Sequence, residues 1–368
     1  MIKEEDIDKV LDFLKKNYST EDINSISLAN KIKAICLFLD LTINQFDELI
    51  AFNSPVLRTV KGHAFEAAFE KFIKMNGYNI VDVGGDTDVD LSINGYSLQL
   101  KTPYLAGTTD DFITYKTHKT HGAKSNLESI SYYHTVEEFA DFFVGLISYN
   151  PFKVFIIPKG QLPKLHGNRK YIESPFCLST SKFKNYINKF SLLGLNIDSS
   201  ISVNNTNNNE LLPQSSKIIG VNTDIIIDTI LRECNFRIWD MSIRGFAREI
   251  TIKQFLKKAD ITYSDKPLEY RNFRADKADL VLLTKRTKKP IFIQIKGISI
   301  NNCDFSKENP IIATETQLTR GRINNHPTQS RLYLEKDFEY LVLALDPAIS
   351  LKILIYMISC KYKLHDIV

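Results

Sequence analysis

The stretch Leu98-Gln99-Leu100-Lys101 returns 195 residues later as Ile293-Gln294-Ile295-Lys296. Both alternate apolar and polar side chains, the pattern of a strand with one buried face. An Asp that enters a short apolar strand precedes each: Val89-Asp90-Leu91 in the first copy and Ala278-Asp279-Leu280 in the second. Before each Asp comes a helical pattern. The first is Gly62-His63-Ala64-Phe65-Glu66, then Phe72-Ile73-Lys74; the second is Gly245-Phe246-Ala247-Arg248-Glu249, then Phe255-Leu256-Lys257. Downstream, Asp141-Phe142-Phe143-Val144-Gly145-Leu146-Ile147 aligns with Glu339-Tyr340-Leu341-Val342-Leu343-Ala344-Leu345. Four elements in one order, twice, indicate an internal duplication. The Asp-to-Gln spacing is nine residues in one copy and fifteen in the other, and a longer hairpin at 284–290 accounts for the difference.

A chain of 368 residues predicts two domains at roughly 100–200 residues each. The expected fold class is α/β (α+β): two tandem modules, each a mixed central sheet flanked by helices, after an N-terminal helical region. The expected boundaries are 1–55 for the helical region, 56–195 for the first module, 196–216 for a linker and 217–368 for the second module. The linker is read from the run Asn204-Asn205-Thr206-Asn207-Asn208-Asn209 and from Pro213-Gln214-Ser215-Ser216, which carry little to bury. Strands are expected at 78–83, 91–93, 97–100 and 153–157, then at 280–283, 291–295, 340–345 and 352–358. In the N-terminal region Ile7, Val10, Leu11 and Leu14 fall at helical spacing, and a second helix covers 28–41. Thr42-Ile43-Asn44-Gln45 has the form of a capping box for a third helix, which Asn53-Ser54-Pro55 ends. Its residues Asp47 and Glu48 read as an exposed acidic face, which favours a small helical bundle over a DNA-reading helix-turn-helix.

Composition excludes several classes. The chain is 43% apolar and 24% charged, ordinary for a globular protein. No apolar run approaches the ~20 residues of a membrane span. The acidic start Met1-Ile2-Lys3-Glu4-Glu5-Asp6 lacks the apolar core of a secretory signal. The five cysteines are scattered, with no C-x-x-C pair, so neither a zinc site nor a disulfide framework is indicated and a cytoplasmic location is expected. A net charge of +4 leans mildly toward a polyanionic partner. There is no G-x-x-x-x-G-K-[ST] loop for an ATP motor and no D-P-P-Y of a methyltransferase.

The repeated residues form a chemical set. Gln99 and Lys101 share one face of their strand, because side chains alternate. An Asp90 on the neighbouring strand can meet them, and Glu66 can reach in from a helix. Two carboxylates and an amide oxygen suit Mg²⁺, and the lysine can orient or deprotonate a water for attack on phosphorus. Asp279, Gln294, Lys296 and Glu249 repeat the set. Asp86 and Asp88 alternate with Asp90, and Asp276 stands near Asp279, so the choice of ligand stays open; Asp90 and Asp279 are favoured because each precedes an apolar strand. Glu70 has Lys253 as its counterpart and reads as a solvated helix residue.

This constellation resembles the PD-(D/E)XK nuclease superfamily, which includes most type II restriction endonucleases, and the resemblance extends over 56–195 and 217–368. It implies metal-binding roles for Asp90 and Asp279, catalytic roles for Lys101 and Lys296, and the helical glutamate role for Glu66 and Glu249. Gln99 and Gln294 stand where the family usually has Glu or Asp. A neutral amide binds Mg²⁺ more weakly, although Gln occupies this place in Mrr-like restriction enzymes and in a transposition endonuclease, and the helical Glu then supplies charge. The polar and basic segments after each motif are candidates for DNA contact: Lys116, Lys119 and Lys124 in the first copy, and Arg320, Arg322, Asn324, Asn325, Gln329 and Arg331 in the second. The implied function is a Mg²⁺-dependent, sequence-specific double-strand DNA endonuclease, a type II restriction enzyme. It would act as a monomeric pseudo-dimer with one site per strand, beside a separate cognate DNA methyltransferase. The alternatives are a transposition or repair endonuclease of the same fold that needs a partner, and a non-catalytic DNA-binding protein with degenerate modules.

Overall fold

The computed structural model describes residues 27–83, 89–104, 108–109, 111–117, 133–197, 211–231, 243–265, 278–283, 290–298, 303–304, 311–312, 338–345 and 356–359. Helix α1 (Leu28–Leu39) closes on Asp40, whose left-handed φ of 54° turns the chain. Helix α2 (Ile43–Phe52) opens with the expected capping box. The Thr42 N–H donates to Gln45 Oε1 (2.9 Å) and the Gln45 N–H donates back to Thr42 Oγ1 (3.2 Å). Glu48 is exposed as expected, but Asp47 is buried, so the acidic face is narrower than the sequence suggested.

Asn53-Ser54-Pro55 ends α2 and at once starts α3 (Ser54–Met75). Asn53 Oδ1 accepts the Val56 N–H at 3.2 Å, and proline in the first turn has no N–H to leave unpaired. Asn53→Ala is expected to cost about 1 kcal/mol, measured by guanidinium unfolding; a loss no greater than that of a substitution at exposed Lys153 would contradict the cap's role. Helix α3 is buried along most of its length through Val56, Val60, Phe65, Phe69, Phe72 and Ile73. Glu70 is buried as well and pairs with Lys74, which corrects its reading as a solvated residue. Its neighbours Phe69 and Phe72 are buried too, and the Phe72 ring lies 4.7 Å from that of Phe152, tilted by 39°.

The strands that follow are β1 (Val81–Asp82), β2 (Leu91–Ile93), β3 (Tyr96–Lys101), β4 (Phe112–Tyr115), β5 (Phe142–Tyr149), β6 (Phe152–Pro158) and β7 (Phe176–Ser179). Five of them form a sheet in the order β1-β2-β3-β5-β6, antiparallel except for β3 and β5. Asn94-Gly95 makes the β2–β3 turn with φ of 50° and 82°, a conformation that Asn and Gly tolerate and other residues resist. Strands β4 and β7 pair separately and were not foreseen. They bring Ile113, Tyr115, Phe176 and Leu178 against Phe143, Phe155 and Ile157 to form an apolar core.

Helices α4 (Pro213–Ile219) and α5 (Thr223–Leu231) then pack against α3, and Lys71 Nζ donates to Asp224 Oδ2 at 2.9 Å. Pro213-Gln214-Ser215-Ser216 is therefore helix rather than linker, with Ser215 and Ser216 buried. The chain continues as α6 (Arg244–Lys258), β8 (Tyr263–Ser264), β9 (Leu280–Leu283), β10 (Pro290–Ile298), β11 (Cys303–Asp304), β12 (Ile311–Ile312), β13 (Tyr340–Leu345) and β14 (Tyr356–Ser359). A second five-stranded sheet runs β8-β9-β10-β13-β14, and only β10 and β13 are parallel. Order and pairing sense thus match the first sheet at every step. Even the register signal repeats. Asp141 Oδ2 accepts the Ser97 N–H (3.0 Å) before β5, and Glu339 Oε2 accepts the Phe292 N–H (2.8 Å) before β13. In this sheet Ile252 and Leu256 of α6 pack on Leu280, Leu282, Ile293, Ile295 and Val342.

The chain divides into two compact units, a central one of Ile50–Ile238 and an outer one of Met1–Leu49 with Trp239–Val368. This differs from the expected boundaries. The division falls inside α2, so the described part of 1–55 is shared between the two units. Residues 217–231 go with the central unit, where α5 is tied to α3. No helix among the described residues is long and apolar enough to cross a membrane.

Candidate active site

Each unit brings its Asp, Gln and Lys together through one backbone pattern. In the central unit the Asp90 N–H donates to the Leu98 carbonyl (2.9 Å), and the Leu100 N–H donates to Asp90 Oδ2 (2.6 Å). Asp90 therefore brackets Gln99, the residue between. Lys101 Nζ lies 3.7 Å from Asp90 Oδ2. Leu98 and Leu100 are buried on the opposite face, which leaves Gln99 and Lys101 on the face shared by their strand partners Phe143 and Gly145. Gly145 is needed there, because a Cβ would lie 2.7 Å from the Phe143 ring and 2.8 Å from that of Tyr115.

Burial pushes the Asp90 carboxyl above the ordinary aspartate value; the Lys101 charge opposes this, the Glu66 charge adds to it, and the Leu100 N–H and His63 oppose it again. Glu66 is thus within electrostatic reach of Asp90 from α3. Its Oε2 is 2.8 Å from His63 Nδ1, one helical turn away. Burial disfavours the His63 imidazolium, but the Glu66 hydrogen bond and the Glu66, Asp90 and Asp82 charges outweigh it, so the imidazole pKa rises. His63 stands in the repeated motif, yet the sequence reading gave it no role. The signal was its i, i+3 spacing to Glu66.

In the outer unit the Asp279 N–H donates to the Ile293 carbonyl (2.8 Å), and the Ile295 N–H donates to Asp279 Oδ2 (2.8 Å). Gln294 Nε2 also donates to Asp279 Oδ2, at 2.6 Å. Burial pushes Asp279 up to about 6, against the Ile295 N–H, Lys296, Lys253 and Gln294, which all lower it. Glu249 on α6 is pushed up to about 8 by burial and by the Asp279 charge; Lys253 opposes and Asp265 adds. Lys253 occupies the position of Glu70 and lies 3.7 Å from Asp265.

A pH dependence follows from Glu249. Its carboxyl rises from an ordinary 4.5 to about 8 on folding, so the folded state binds the proton more tightly. That stabilisation is full below 4.5 and is lost as pH rises through about 8. In EDTA, the Tm of wild type should fall over that interval relative to Glu249→Gln, whose amide does not titrate. Parallel Tm profiles for the two proteins would refute the assignment.

The residues present fit a hard divalent cation unequally. Each site offers two carboxylates and a carboxamide oxygen, a donor set suited to Mg²⁺ completed by water and phosphate. Among the described residues no group of three or more His, Cys, Asp or Glu side chains is placed to hold a metal. Gln99 Oε1 is buried and has no hydrogen-bond partner among the described residues, an acceptor in want of a donor or cation. In the outer site Gln294 presents its NH₂ to Asp279, and its carboxamide must turn over before its oxygen can share a cation with that carboxylate.

Of the expected site residues, Glu66, Asp90, Gln99 and Lys101 come together in one unit, and Glu249, Asp279, Gln294 and Lys296 in the other. Lys116 is exposed, with Nζ 5.6 Å from the centroid of the exposed Tyr104 ring. The other expected DNA contacts (Lys119, Lys124, Arg320, Arg322, Asn324, Asn325, Gln329, Arg331) lie outside the described residues, as do Asp86, Asp88, Asp276, the helix around 7–14 and the Asn-rich run at 204–209. No family model matches the chain, and no match is found among curated proteins or solved structures.

Proposed function

We propose that the chain is a Mg²⁺-dependent DNA endonuclease of the type II restriction class, a monomer with one hydrolytic site in each unit. One observation carries this reading. Both units bracket a buried Gln with an Asp in the same hydrogen-bond register, with a Lys two residues on and a helical Glu within electrostatic reach. Bound Mg²⁺ would offset the charge on the scissile phosphate and on the departing oxygen. Asp90 and Glu66 would hold it with Gln99 Oε1; Asp279, Glu249 and Gln294 would do so in the outer unit. Lys101, beside Asp90, would orient the attacking water toward phosphorus, and Lys296 would do the same in its own site. Two sites in one polypeptide suit the two antiparallel strands of a duplex, the task that a homodimer performs by symmetry. Lys116 and the basic segments downstream of each motif would contact phosphates and bases. A separate cognate methyltransferase would protect the host's own sites.

The test is incubation with supercoiled plasmid and unmodified phage DNA, in Mg²⁺ or EDTA. Discrete fragments in Mg²⁺ and intact DNA in EDTA are expected. DNA bound equally well in EDTA and never cut would instead establish a binding protein built on two inactive sites. Cleavage that requires an added protein would point to the transposition or repair class.

A further inference from the structure

The two sites are not equivalent, and one difference lies beside the helical glutamate. In the central unit His63 Nδ1 is 2.8 Å from Glu66 Oε2, and the Asp90 and Asp82 charges also act on the ring. In the outer unit the repeat places Phe246 at the same position, three residues before Glu249. A phenyl ring has no donor; the Lys253 charge acts on Glu249 from one turn further along α6, and that ammonium lies 3.7 Å from Asp265. The carboxamides differ in the same direction. Gln99 Oε1 has no partner among the described residues, whereas Gln294 is turned with its NH₂ toward Asp279.

We propose that His63 is a positioning residue of the central site: it holds the Glu66 carboxylate toward Asp90, so that this site takes up its divalent cation at lower concentration than the outer one and cuts its strand first. The proposal rests on the endonuclease reading. A donor on the far oxygen of a ligating carboxylate fixes its orientation and removes the cost of ordering it when the cation binds. Loss of such an outer partner typically weakens metal affinity about 10–100-fold. Duplex cleavage then passes through a nicked intermediate with the break always on the strand served by the central unit.

The test isolates the central site in the Glu249→Gln, Asp279→Asn background, where the amides keep the local hydrogen bonds. Mn²⁺ binding without DNA is read by electron paramagnetic resonance, and Tm confirms folding. His63→Phe, which copies the outer site, is expected to weaken Mn²⁺ binding about 10–100-fold. Asn carries a donor at the position of Nδ1 and Gln carries one at that of Nε2, so His63→Asn should retain most of the affinity and His63→Gln should lose it. If His63→Phe does not fold, the Asn and Gln pair decides the matter. Equal affinity in all folded His63 variants overturns the proposal and leaves the endonuclease reading intact. Absence of Mn²⁺ binding in the background protein overturns the metal-site reading and the proposal with it. In wild type, a nicked intermediate broken at random in either strand also overturns it.

Discussion

Lys101→Ala protein is expected to convert supercoiled plasmid to open circles and to stop there, and Lys296→Ala is expected to nick the opposite strand. The argument is local. Each lysine is the only ammonium that its strand delivers beside the Asp at the centre of its site, with Lys101 Nζ 3.7 Å from Asp90 and Lys296 lowering the Asp279 pKa. Removing a group that orients or moves a proton in the transition state costs about 10²–10⁴ in rate. The loss at one site should leave the other site's rate within a few-fold, since the sites sit in separate units. Agarose gels separate the three plasmid forms, and denaturing gels of an end-labelled duplex assign the nicked strand. Linear product from either single variant at the wild-type rate would remove that lysine from the mechanism. The double variant should leave plasmid supercoiled in Mg²⁺ and still bind DNA.

Phe143→Ala should destabilise the central unit by about 3–5 kcal/mol, a large share of the 5–15 kcal/mol that holds an ordinary domain together. Phe143 is fully buried, its ring 5.0 Å from Tyr115 and 5.2 Å from Phe176, both edge-on. It joins the large sheet to the β4–β7 pair, so truncation opens a cavity between two layers that no flexible side chain fills. Tyr115 is held from its other end as well, its hydroxyl donating to the Leu146 carbonyl at 2.7 Å, and cannot swing to close the gap. Phe143 is also the strand partner of Gln99, so nicking of the central unit's strand should fail at a lower temperature than that of the other strand. Guanidinium unfolding with an unchanged m-value measures the cost, and a loss below about 1.5 kcal/mol, typical of a volume-conserving swap, would show that the layers repack.

Much of the candidate site is legible in the sequence. Alternation in Leu98-Gln99-Leu100-Lys101 names the face of each side chain, and the repeat multiplies that signal because chance does not place Asp, Gln and Lys twice in one order. The capping box at Thr42 and Gln45 was legible for the same reason: its partners are three residues apart. Asp47 and Glu70 were misread as solvated. Their burial depends on what covers the helix, and a carboxylate on an apolar helix looks the same in sequence whether it faces water or a neighbour. The short strands β4 and β7 leave little trace in the sequence, because each is four residues long and its partner lies more than sixty residues away.

The sequence by itself determined the repeated helix–strand order, the eight candidate residues that the two units bring together and the strand face on which each Gln and Lys lies. Those properties follow from backbone periodicity and from turns a few residues long. Only the tertiary structure decided that α4 and α5 belong with the central unit. Only it could show that Gln99 keeps a bare oxygen while Gln294 spends its amide on Asp279, and that His63 meets Glu66 where Phe246 cannot meet Glu249. Rotamers, burial and charge at these positions are set by side chains distant in sequence, and two copies of one motif can therefore share a backbone and differ in what their polar atoms bind.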